Sequence, residues 1–64
     1  MDEIKQAIER VADKRHERLM NSMAEKEASA TVCLWLEHMR RRWKDNRSLV
    51  HFIDALIEGY SLTL

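Results

Sequence analysis

Arg40, Arg41, Arg42, Lys44 and Arg47 place five cations within eight residues, with Trp43 in their midst and Asp45 as the single acid. Guanidinium and ammonium groups at this density suit carboxylates on a protein surface or the phosphates of a nucleic acid. A tryptophan among them adds a possible stacking platform for bases. The helical period argues for a plainer role as well. Three successive arginines on a helix point about 100° apart, so they do not share one flat patch. Glu37 lies three and four residues before Arg40 and Arg41 and can pair with either. Cations are also favoured at a helix C-terminus, where the last carbonyls are exposed.

Other residue types that carry chemistry are sparse. His51, Asp54 and Glu58 fall at i, i+3 and i+7, a spacing that could hold a metal or an acid–base pair. The same spacing is the polar side of an amphipathic helix, and three short helices offer little cleft around it. Cys33 and His38 would sit about 140° apart on a helix, so they make no nucleophile–base pair. Cys33 is expected to be a small half-buried side chain. His16, between Arg15 and Glu17, is read as solvated. No catalytic residue, metal site or cofactor is expected, and the chain is not expected to be an enzyme.

The elements that must position these residues are helices. There is no proline, Gly59 is the only glycine, and Ala, Glu, Lys, Arg, Leu and Met are abundant, so the chain reads as all-α. Three helices are expected at about 2–21, 22–45 and 48–58 of a single domain spanning residues 1–64. The first carries Ile4, Ala7, Ile8, Val11, Ala12, Leu19 and Met23 on one side, a thin stripe with Arg15 near its centre. Arg15 can lay its alkyl stem in a groove with its head in water, or meet a carboxylate on another chain.

Ser22 and Glu25 have capping-box spacing, and Ser29 is another possible start, so a break between the first two helices is expected. An unbroken helix would be a rod of about 65 Å. The second helix repeats Ala28, Val32, Trp35, Leu36, Met39 and Trp43 at steps of three and four. Trp43 therefore reads as a core residue before a base-stacking one. Leu34 lies on the opposite side, which hints at burial on two faces, as in a homodimer. Ser48 is expected to cap the third helix and Gly59 to end it, with Leu49, Phe52, Ile53, Leu56, Ile57 and Tyr60 on its wide apolar face. The second and third helices then form a hairpin core, joined by a charged first helix. Met20 and Met23 in "LMNSM" read as packing filler or as an adaptable binding surface.

Sixty-four residues give a core worth roughly 3–5 kcal/mol, and one cysteine allows no internal disulfide. Eleven basic and eleven acidic residues cancel, so no global field draws the protein to nucleic acid or to an acidic membrane. No apolar run reaches the roughly 20 residues of a membrane span. The acidic "MDEI" start is unlike a signal peptide, so a cytoplasmic protein is expected.

These features lead to one expectation of function and an alternative. The first is a small regulator, of the antirepressor, anti-activator or inhibitor type, that docks an amphipathic helix and an arginine patch on a partner protein. It would be a homodimer, with Arg15, Leu34, Arg41, Arg42 and Trp43 as the contact residues. In size and class it parallels small regulators of phages and plasmids. The alternative is a dimeric DNA- or RNA-binding regulator that contacts phosphates through Arg40, Arg41, Arg42, Lys44 and Arg47. The third helix would not enter a groove of nucleic acid, because Asp54 and Glu58 face outwards from it.

Overall fold

The computed structural model describes residues 2–62 and consists of three α-helices: α1 (Asp2–Met20), α2 (Glu25–Arg42) and α3 (Arg47–Ser61). No strand occurs among the described residues. The longest dimension is 34 Å, about half the length of a rod of unbroken α1 and α2, so the break between them is real. The chain turns over residues 21–24 by closing on the last carbonyls of α1. Ser22 N and Met23 N both donate to Leu19 O, at 3.0 and 2.9 Å.

That turn differs from the expected capping box. Ala24 is the N-cap residue of α2 and gives no side-chain hydrogen bond, while Ser22 Oγ donates back to Leu19 O at 3.5 Å. Glu25 and Glu27 in the first turn favour the helix start by charge instead. Ser29 is no helix start; it is buried inside α2. At the other end of α2, the Trp43 N–H donates to Met39 O at 3.0 Å, with Arg40, Arg41 and Arg42 in the last turn.

Two end positions of α3 also differ from expectation. Asn46 is the N-cap in place of Ser48, and its side-chain oxygen accepts from Leu49 N at 3.1 Å. Gly59 lies within the helix at ordinary helical φ, and α3 runs on to Ser61. Nothing in the space around Gly59 demands glycine there.

The three helices share one core of Ile8, Ala12, Val32, Leu36, Leu49 and Ile53. Met39, Trp43, Leu56, Ile57 and Tyr60 pack around it, half-buried. The α2–α3 hairpin supplies most of this core, but α1 is rotated from its expected setting. Its buried line runs through Ile8, Ala12, His16 and Leu19, leaving Ile4 at 38% and Val11 at 40% exposure. Arg40 Nε donates to Asp54 Oδ1 at 2.7 Å and ties α2 to α3. Both side chains are about half exposed, 50% and 46%, so the pair contributes about 1 kcal/mol at most.

Candidate functional site

The rotation of α1 opens a groove between α1 and α2. On the α1 side, Ile4, Ala7, Val11, Lys14 and Arg18 recur at alternating steps of three and four, the seam of a coiled coil. No helix of the described residues covers that seam beyond the flank of α2. On the α2 side lie Thr31, Trp35 and Trp43. The groove is made of two depressions that meet at Val11 and Trp35. One, of about 400 Å3, has a floor of Leu19, Val32 and Trp35 and is rimmed by Lys14, Arg15 and Arg18. The other, of about 280 Å3, lies among Ile4, Ala7, Ile8 and Trp43, with Glu3 at its edge.

Arg15 has its guanidinium carbon 5.2 Å from the centroid of the Trp35 ring. This is the snorkelling arrangement with a cation–π contact added, and the side chain stays exposed. Trp43 lines the far half of the groove while packing half-buried on the core. Arg42 stands seven residues after Trp35, on the same flank of α2. Two of the expected contact residues, Arg15 and Trp43, thus line one groove.

The remaining contact residues point elsewhere. Leu34 is 66% exposed and shares the outward face of α2 with His38 and Arg41, at i, i+4 and i+7. Arg41 also borders a depression with Glu37, Arg40, Asp54 and Ile57. Of the cationic run, Arg40 is held by Asp54. Arg41, Arg42, Lys44 and Arg47 are exposed and form no ion pair among the described residues. The run is therefore divided between one structural arginine and four cations spread around the α2–α3 turn.

The expectation that His16 is solvated is corrected by the structure. Its ring is half-buried, with Nε2 3.2 Å from Ser29 Oγ and its centroid 5.2 Å from that of Tyr60. The Tyr60 hydroxyl donates to Asp13 Oδ1 at 2.6 Å. A serine–histidine contact suggests a nucleophile and its base, but Ser29 is fully buried, so no substrate reaches its hydroxyl. Asp13 is engaged by Tyr60. These four residues join α1 to α2 and α3 across the core.

Burial, and then the hydrogen bond to Asp13, push the Tyr60 phenol well above the usual tyrosine range. The folded state thus keeps a proton that the unfolded chain releases near pH 10. Its contribution to stability is complete below about pH 10 and is lost as pH rises further. Alkaline titration should show no tyrosinate absorbance until the helical signal falls, and Tyr60→Phe should flatten that part of the pH–stability curve. Tyrosinate appearing near pH 10 with the helices intact would contradict the Asp13 contact.

Cys33 is buried, with Sγ 3.8 Å from Ile57 O and 3.9 Å from Ser61 Oγ, close to the packing role expected of it. Among the described residues no group of three or more His, Cys, Asp or Glu side chains gathers as a metal ion would need. None of the helices is long and apolar enough to cross a membrane.

Sequence reading missed Lys14 and Arg18 as a rim and Trp35 as a floor. The three-four spacing from Ile4 to Arg18 was the available signal, hidden by taking Ile4 and Val11 into the core stripe. Compared with protein-family models, with curated proteins and with solved structures, the chain matches none of them.

Proposed function

We propose that this all-helical chain is a small regulatory protein that acts by binding another protein, as an antirepressor, an anti-activator or an enzyme inhibitor does. The observation that carries the reading is the α1–α2 groove. It is an apolar trough, open along some four turns of α1, with guanidinium and ammonium groups on its rim. Grooves of this kind receive an amphipathic helix, with apolar anchors for affinity and charges for register. No chemical step is assigned to the chain in this reading.

The test compares two baits at equal load: the wild-type protein and the Ile4→Asp/Val11→Asp double variant, whose changes fall on exposed positions. A partner retained by the first and lost from the second, by quantitative mass spectrometry, is the expected result. Identical partner sets would sink the reading.

The proposal includes a homodimer in which the exposed Leu34 faces of two α2 helices meet, so that each assembly offers two grooves. Sedimentation should give a dimer for the wild type and a monomer for Leu34→Asp. A wild-type monomer at all concentrations would remove this part.

One observation favours a second reading. Arg41, Arg42, Lys44 and Arg47 surround the α2–α3 turn without ion pairs among the described residues, and phosphates are their natural ligands. In that case labelled duplex and single-stranded oligonucleotides would bind with an affinity that collapses as salt rises.

A further inference from the structure

We infer that the groove's occupant is an acidic amphipathic helix of the partner protein, its apolar stripe on Val11 and Trp35 and its carboxylates on Lys14, Arg15 and Arg18. This rests on the protein-binding reading and adds the chemistry of the partner. The groove is long enough for such a helix. From Ile4 to Leu19 the groove follows α1 for about 22 Å, the span of roughly four turns of a helix lying alongside.

Charge selects the occupant. Lys14, Arg15 and Arg18 border one half, and Glu3, at the far end, is the acid that lines the groove, while Glu17 lies beside Lys14 and Arg18 in a separate depression. The chain as a whole is neutral, so this cationic rim is a local arrangement. The exposed guanidinium of Arg15 sits 5.2 Å from the Trp35 ring centroid, and a guanidinium can donate two parallel hydrogen bonds to a carboxylate. A second copy of this chain fits less well, since pairing two grooves gathers both cationic rims against two glutamates. A nucleic acid has no use for the aliphatic floor of Val11, Leu19 and Val32.

The two tryptophans of the chain both line the groove, so their fluorescence reports its covering. Three synthetic peptides of about 16 residues, long enough for the groove, serve as probes. One has a leucine stripe flanked by glutamates, the second the same stripe flanked by lysines, and the third the glutamate composition with its leucines scattered. The glutamate amphipath should shift emission to the blue and saturate. It should bind roughly tenfold or more tighter than either other peptide and weaken as salt rises from about 50 to about 300 mM. In Arg15→Glu/Arg18→Glu, shown by circular dichroism to remain helical, the preference should reverse towards the lysine peptide.

Equal binding of both amphipaths would overturn the acidic occupant while leaving a helix-docking groove. Binding of neither would overturn the inference, and the bait comparison would decide the wider reading separately. A blue shift on concentrating the protein alone, with doubled mass and sensitivity to Val11→Asp, would give the groove to a second copy and also overturn it.

Discussion

Leu36→Ala should remove most of the stability of this protein. Leu36 is fully buried on α2 and belongs to the cluster in which all three helices meet. Truncating such a leucine costs about 2–5 kcal/mol, the loss of transfer free energy plus the cavity left behind. A core of this size supplies roughly 3–5 kcal/mol in total. The loss is thus comparable to the whole, and the variant should be largely unfolded at room temperature. Urea melts followed by helical circular dichroism would show a transition moved close to zero denaturant. A loss of about 0.5 kcal/mol or less, the scale of a surface change, would mean that Leu36 is not the contact the helices share.

Ala12→Leu should have the second-largest effect, and a more local one. Ala12 is fully buried on α1, between Ile8 and the turn that carries His16. Added carbons have no space there, and overpacking of this kind costs about 1–3 kcal/mol. Beyond Ile8, Ala12 and Leu19, α1 is held by the His16–Ser29 and Tyr60–Asp13 contacts. The expected result is detachment of α1 from an α2–α3 hairpin that keeps much of its helix. Hydrogen exchange should show α1 amides losing protection first, and tryptophan emission should move to the red as Trp35 loses Arg15. Exchange that rises equally in all three helices would contradict a separable α1. Peptide binding should vanish with α1, because the groove needs both walls.

How much of this was legible in the sequence depends on what each residue's neighbours decide. The three helices were readable because Leu36, Leu49 and Ile53 lie on dense, regular stripes with no proline to interrupt them. The helix ends were less so. Ser22, Ser48 and Gly59 have the right chemistry for caps, yet Asn46 is preferred to Ser48, and Ser22 turns back to Leu19. Several residues within two positions of one another could cap each end, and tertiary packing chooses among them.

The setting of α1 was the main loss. Its apolar stripe is thin, so a rotation of some tens of degrees about the helix axis exchanges Ile4 and Val11 for His16 on the buried line. Sequence periodicity cannot resolve that rotation when a histidine finds a buried serine partner 13 residues away. The same rotation creates the groove, so the candidate site was legible only in pieces: Arg15 and Trp43 without the trough that connects them. The division of the arginine run was half visible, since the period separates the three side chains but does not show that Asp54 takes Arg40.

We propose the α1–α2 groove, and not the cationic α2–α3 turn, as the recognition surface. The most direct measurement is a two-dimensional nitrogen–proton spectrum of labelled protein, titrated in parallel with the glutamate amphipath and with a duplex oligonucleotide. The peptide should shift both indole N–H signals and the amides around Val11 and Arg15, while the duplex should leave the spectrum unchanged at moderate salt. Shifts confined to Arg41, Arg42, Lys44 and Arg47 with the duplex, and none with the peptide, would contradict it.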